Sequence, residues 1–375
     1  MNIFLVSSIF YDKKIIYFGR ITKNFKGTFS MKTLLLLTIF ILANLNALNY
    51  KYWGSFKHNF VSSNGRVIDR FNADVTHTES LGYGMFFAVS YGDYKTFKKI
   101  HSWLHLNMQV SRTGLYGWKW GRRESGDWGM LDNNNATDGD MWIAYSLLLA
   151  YEKWNERKYL FEAKKLIKAI RRNSIVKVNG NLLLLPAQYG FDKKNYVKLN
   201  PSYTIPFIFD KFAIYDKNPV WKQLNLDSIE MFKNSAVGNL KIHPDWIKLD
   251  KKDMRYKYFQ NDSIFGFDSI RTPLFLAYQY KLTKDKAIRN NLQGYLVFLK
   301  YIKKLNKLIY QIDFRHSKIR FKNPPYGFLV VYDYLYKQFG LQAPESLKLK
   351  IEQGLKNEAN NYYSYSLYIF TDILK

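Results

Sequence analysis

The chain has 375 residues, 47% of them hydrophobic. That is enough to bury a substantial core, and no Pro/Gly/Ser-rich linker divides it. With no cysteine it has no disulfide scaffold, no thiolate metal site and no cysteine nucleophile. A formal net charge of +27 invites an anionic partner, but the lysines are dispersed over helix faces and loops, so nucleic-acid binding is not expected.

Residues 31–47, MKTLLLLTIFILANLNA, follow the order of a secretory signal peptide: a charged start, an apolar run from Leu34 to Ala43, then small and polar residues to Ala47. The run is short for a membrane span, which needs roughly 20 apolar residues. Met31 therefore reads as the true start, with residues 1–30 an over-extended beginning. The alternative is an uncleaved anchor with a basic leader. Residues 1–47 hold six Lys/Arg and one acid, so residues 48–375, read as a single catalytic domain, still carry a net charge of +22.

Beyond residue 48 the periodicity is mostly helical. It predicts helices near 80–91, 93–107, 137–154, 157–172, 202–215, 219–234, 264–281, 284–304, 325–339 and 344–373. Helix, short turn, helix is an all-α array of antiparallel hairpins, and the lack of a short repeat favours a closed ring over a solenoid. One exception is IVKVNGNLLLLPA (175–187), where Asn179-Gly180 between two apolar runs predicts a small β-hairpin. Another is the stretch 114–140, rich in Gly, Trp, Asp and Asn, whose length and three tryptophans mark it as a functional loop. Aromatics make up 18% of the chain, a surplus suited to a groove that stacks flat-faced ligands. Of six histidines only His101 and His105 stand at i, i+4. Without a third ligand in sight they are not read as a metal site.

Three stretches place acids where helices bury their faces. In THTESLGYGMFFAV (76–89), Glu79 precedes Gly82-Tyr83-Gly84. A capping acid would do as much, but the glycines favour close packing beside a ligand. In ATDGDMWIAYS (136–146), Asp138 and Asp140 flank Gly139 at a helix start, and capping and catalysis are equally served. In IFGFDSIRTP (264–273), Asp268 and Arg271 lie at i, i+3 inside an apolar helix, either as a buried salt bridge or as a tuned general base.

Together these stretches resemble glycoside hydrolase family 8, the bacterial endoglucanases and their relatives. The family pattern A-[ST]-D-[AG]-D-x-x-[IM]-A-x-[SA] is met at 136–146. E-x-x-G-Y-G-M at 79–85, N-P-S-Y at 200–203, F-D-S-I-R-T-P at 267–273 and P-Y-G-F at 325–328 support it, in order, over residues 50 to about 340. The signal-bearing layout looks most like the periplasmic enzymes encoded beside bacterial cellulose synthases.

The resemblance implies an (α/α)6 barrel of helical hairpins and hydrolysis of β-1,4-glucan with inversion. It implies no metal or organic cofactor, a monomer, and a cellulose synthase system as a partner. Glu79 matches the general acid and Asp268 the general base of the subgroup with Asp in this motif. Asp138 matches the acid that holds the sugar, Arg271 the arginine beside the base, Tyr203 a tyrosine of the catalytic centre and Trp118 a stacking aromatic. Asp140 and Tyr83 are further candidates. Arg271 is expected to keep Asp268 ionised, and Asp138 to remain anionic at its helix start. The rivals are xylan, mixed-linkage glucan or chitosan as substrate on the same machinery, the last disfavoured by like charge, and a non-catalytic glucan-binding protein.

Overall fold

In the computed structural model, residues 52–110, 113–259, 264–321 and 323–375 are described; the signal peptide expected at 31–47 lies outside them. Six helices form an inner ring: α2 (Thr78–Ser90), α4 (Thr137–Trp154), α6 (Pro206–Asp216), α8 (Arg271–Thr283), α11 (Tyr326–Gln338) and α13 (Tyr362–Ile373). Each packs on the next in that order, and α13 returns to α2. An outer layer backs them: α3 (Tyr94–Asn107), α5 (Arg157–Asn173), α7 (Pro219–Ser235), α9 with α10 (Lys286–Asn291, Gln293–Leu305) and α12 (Glu345–Asn357). The sixth outer helix is α1 (52–60), the first of the described chain. It packs on the last, with Phe56 and Phe60 against the rings of Tyr362 and Tyr365 and Asn59 donating to the Ala359 carbonyl. This is the expected (α/α)6 barrel.

The two layers differ in how their sequences meet that geometry. Along α5 the buried residues Tyr159, Ala163, Leu166, Ile167 and Ile170 recur on one face, as an outer helix with one wet side requires. In α2 every residue from Ser80 to Val89 is buried, because an inner helix has neighbours all round.

The hairpin at 175–187 is present as β4 (Ile175–Val178) and β5 (Asn181–Leu184), with Val178 opposite Asn181. Asn179 and Gly180 take φ of 46° and 91°, the left-handed pair that a two-residue turn needs. The loop 114–140 is more ordered than expected. β2 (Lys119–Arg122) and β3 (Trp128–Asp132) form a hairpin that adds to β1 (Thr76–His77), just before α2. Two further three-stranded sheets were not anticipated: β6 (Tyr196–Leu199) with β7 (Ile247–Asp250) and β8 (Tyr256–Tyr258), and β9 (Ile264–Phe265) with β10 (Gln311–Asp313) and β11 (Lys318–Arg320). Strands of two to four residues are too short to print a period on the sequence.

Three expected helices are corrected. The segment 264–281 becomes helical only at Arg271, after β9 and a turn, which places Pro273 in the first helical turn where its missing N–H is not needed. Asp268 therefore lies on the turn and not inside the helix. The span 284–304 breaks at Leu292, and 344–373 is two helices, the second started by Asn361, whose side chain accepts from the Ser364 N–H. Among the described residues, no helix is long and apolar enough to cross a membrane.

Candidate active site

The site begins with two glycines. α2 and α4 pack so closely that a Cβ at Gly82 would lie 2.8 Å from Trp142 Cβ, and one at Gly139 would lie 2.3 Å from Thr78 Oγ1 and 2.9 Å from the Glu79 nitrogen. Both glycines thus serve the approach of two helices, whereas the sequence had set Gly82 beside a ligand. Their effect is to bring the first turns of α2 and α4 side by side, and with them Glu79 and Asp138.

Arg271, the first residue of α8 and 5% exposed, draws the remaining pieces together. Its Nη1 donates to Asp138 Oδ2 at 3.2 Å and to the Tyr83 hydroxyl at 2.9 Å. Its Nη2 donates to Asp268 Oδ1 at 2.7 Å and to Ser202 Oγ at 3.0 Å. One guanidinium so ties four segments, α2, α4, the Pro201–Tyr203 turn and the turn before α8. The Tyr203 ring stands 5.6 Å from the same guanidinium.

Asp268 is presented by a turn that a second acid holds in shape. Asp245 Oδ1 accepts from the Gly266 N–H at 3.0 Å, the Ser269 N–H at 2.8 Å and Ser269 Oγ at 2.7 Å. A Cβ at Gly266 would meet Asp245 Oδ2 at 2.8 Å, so the turn closes on that carboxylate only with glycine there. Asp268 keeps 30% of its side chain open, whereas Asp138 keeps 1%.

Burial raises the pKa of Asp138 well above the carboxylate range, Glu79 raises it further, and Arg271 opposes both. Burial also raises Asp268, again against Arg271, with Glu79 adding to the rise. Arg271 thus opposes the rise at Asp268, as expected, without cancelling it, whereas Asp138, expected to remain anionic at its helix start, is driven towards its neutral form by burial. One cation shared by two aspartates, with Glu79 near enough to be felt by both, leaves both carboxyls harder to ionise than isolated aspartates. Burial raises the Tyr203 hydroxyl as well, and all three acids contribute, which sets Tyr203 among them.

Glu79 sits in the first turn of α2 with 14% of its side chain exposed. Thr78 Oγ1 donates to its Oε2 at 3.4 Å, and His77, the residue that caps the helix, has Nδ1 3.6 Å from the same oxygen. Trp118 is half-buried at the head of the β2–β3 hairpin. Its carbonyl accepts from the Thr78 N–H at 3.0 Å, which sets the indole next to the helix start that carries Glu79, and its Nε1 donates to Asp132 Oδ2 at 2.7 Å.

Asp140 is fully buried and faces the loop. It accepts from the Tyr116 N–H at 3.2 Å and Asn135 Nδ2 at 3.0 Å, so its job is to tether the 114–135 segment to α4. Burial, against those two bonds, pushes its carboxyl up to about 8. Tyr83 is also buried, its hydroxyl on Arg271.

Asp245, Ser202 and Asn135 were not singled out from the sequence. Ser202 lay inside the quoted N-P-S-Y stretch, which was the available signal. Asp245 and Asn135 act through backbone N–H groups and other side chains and leave no pattern.

Three acids from three inner helices or their approaches, two of them held by one arginine beside a tyrosine and a half-buried indole, have the chemistry for paired proton transfer.

The family model described as glycosyl hydrolases family 8 matches residues 27–375. An endoglucanase of Escherichia coli O157:H7 is 33% identical over 259 residues, covering 67% of this chain and 69% of its own. Among solved structures, the endo-1,4-D-glucanase from Vibrio fischeri ES114 superposes with a TM-score of 0.77 at 28% identity, over 86% of this chain and 93% of that one. The endo-β-1,4-glucanase CMCax from Acetobacter xylinum does so with a TM-score of 0.75 at 26% identity, over 87% and 97%.

Proposed function

The chain belongs to family 8 of the glycosyl hydrolases, and from that premise we propose that it is an inverting endo-β-1,4-glucanase in which Glu79 is the general acid and Asp268 the general base. It is a glycoside hydrolase, and the relatives from Escherichia coli O157:H7 and Salmonella typhi that it resembles are endoglucanases. The observation that carries the assignment of roles is the shared arginine: Arg271 binds Asp138 and Asp268 at once, and Asp138 lies on the helix start packed beside the one that carries Glu79.

Cleavage needs a proton on the leaving oxygen and a base for the attacking water. Glu79, on the α2 side, donates its carboxyl proton to the glycosidic oxygen. Asp268, open to the cleft, takes the proton of a water that attacks the anomeric carbon from the opposite face. Asp138 lies between them, and positive charge growing on the sugar ring draws it to its anionic form. Arg271 fixes both aspartates in place. Tyr203 and Trp118 supply the flat surfaces against which sugar rings pack.

The finer placement is an exported enzyme, cut after Ala47, working beside a cellulose synthase. It rests on the n-, h- and cleavage-site order of residues 31–47 and on the layout shared with periplasmic relatives. Sequencing the amino terminus of the exported protein tests it; a retained residue 1–47 segment would sink it.

The first test of function is reducing-sugar release from carboxymethylcellulose by residues 48–375, with xylan and chitosan in parallel and Glu79→Gln as control. Activity on the cellulose derivative, lost in the variant, is the expected result. Activity only on another polymer keeps the mechanism and moves the substrate, and a net charge of +22 over those residues argues against cationic chitosan. Proton NMR of fresh product checks inversion: the α anomer is expected first.

A further inference from the structure

The outer layer carries a second cluster of reactive side chains. His101 and His105 stand one turn apart on α3, and Glu162 reaches them from α5. His101 Nε2 is 2.6 Å from Glu162 Oε2, His105 Nε2 is 3.2 Å from the same oxygen, and the two Nε2 atoms are 3.0 Å apart. Among the described residues this is the one grouping of His and acidic side chains whose donor atoms converge. The HxxxH pair lacked a third ligand in the sequence because that ligand is 57 positions beyond His105.

Hydrogen bonds alone serve this arrangement poorly. Two Nε2–H groups aimed at one carboxylate oxygen crowd their hydrogens, and two bare nitrogens would face each other with lone pairs. A cation among the three removes both conflicts. An ion about 2.0–2.2 Å from each donor sets the donors about 3–3.5 Å apart; the 3.0 and 3.2 Å spacings lie close to that, and the 2.6 Å one between His101 and Glu162 has to open by several tenths of an ångström. The outer shell is in place too. The Gln109 side-chain amide lies 2.8 Å from His105 Nδ1, and turned by 180° it presents its oxygen to an Nδ1–H, the partner a metal-bound imidazole takes. Rings of Tyr159 and Tyr116 stand edge-on to His101 and His105.

We propose that His101, His105 and Glu162 form a binding site for a divalent transition-metal ion of the zinc class, with its remaining coordination open to water. Two imidazoles with one carboxylate suit Zn²⁺ and its borderline neighbours, whereas Mg²⁺ and Ca²⁺ take oxygen donors. The ion would clamp α3 to α5. It would also brace the foot of the loop that carries Trp118, because Gln109 bridges to Tyr116 and the Tyr116 N–H is the one held by Asp140.

The test is calorimetric titration of the tag-free full chain, stripped with EDTA, with Zn²⁺; Co²⁺ absorption gives a second readout independent of activity. One ion per chain at micromolar affinity or tighter is expected, together with a ligand-field spectrum of nitrogen and oxygen donors. Glu162→Gln and His105→Ala should weaken binding by more than about 100-fold, and Gln109→Ala by about tenfold, with turnover of carboxymethylcellulose at saturating substrate retained. Circular dichroism establishes that each variant is folded; Glu162→Gln, which keeps the side-chain shape, carries the test if His105→Ala is not. Absence of stoichiometric binding by the folded wild-type chain, or binding unchanged in Glu162→Gln, overturns the proposal.

Discussion

The inner and outer rings of this barrel are built from the same element and obey different rules. An outer helix such as α5 buries one stripe and leaves the rest wet, so its exposed positions are tolerant and its ion pairs are screened. An inner helix such as α2 is enclosed, and its polar residues are there because another residue needs them. Arg271 shows the difference. The same i, i+3 pairing with an acid occurs in Lys233 with Glu230 on α7, where both side chains are more than half exposed. On the inner ring the pair is enclosed with Asp138 and Tyr83; on the outer ring it decorates a surface.

The sharpest way to break the comparison is Arg271→Ala. It should abolish turnover and destabilise the fold by about 3–5 kcal/mol, since two carboxyls lose their cation in a buried setting. Chemical denaturation and an activity assay read both effects. Asp268→Asn separates them: turnover should fall about 10²- to 10⁴-fold, the contribution of one proton-transfer group, while the denaturation midpoint stays near wild type, because Asp268 is partly open. Gly139→Ala comes next. Its Cβ has no room beside Thr78 and Glu79, so overpacking should destabilise by about 1–3 kcal/mol and displace the acid, lowering kcat more than it alters KM.

Asp140→Asn sharpens the contrast through pH. The folded carboxyl keeps its proton up to about pH 8, whereas an unfolded aspartate releases it near about 4. A raised carboxyl contributes stability at low pH that is lost as pH rises through the folded value, so this group tilts stability downward between those limits. The variant should lose that part of the slope, read as a smaller difference in urea midpoint between pH 5 and pH 8. The smallest effect is expected on the outer surface: Lys233→Ala should change stability by under about 0.5 kcal/mol. A larger loss there would show that the outer ring is less forgiving than its exposure implies.

The same contrast explains what the sequence disclosed. The acids proposed for catalysis and Arg271 stood out because they sit in dense motifs at or near helix starts. The outer helices were legible by period. The inner helices were found as apolar runs, but their limits were less clear: nothing in IFGFDSIRTP distinguishes a helix from a strand and turn until Asp245, 23 positions before Asp268, is seen to bind the Gly266 and Ser269 N–H groups. Gly82 announced a close approach, but its spacing reads as room for a ligand. The partner was another helix, and only the closed ring sets two backbones that near.

The packing of α1 on α13 also has a bearing on how the molecule comes into being. The two elements that complete the ring are the first and the last of the described chain, so no intermediate length of polypeptide can enclose the core. Until α13 arrives, α2 has an open flank. Closure therefore rests on contacts between opposite ends of the described chain, and such sequence-distant contacts slow folding. Closing the barrel and enclosing α2 are thus one late event rather than two.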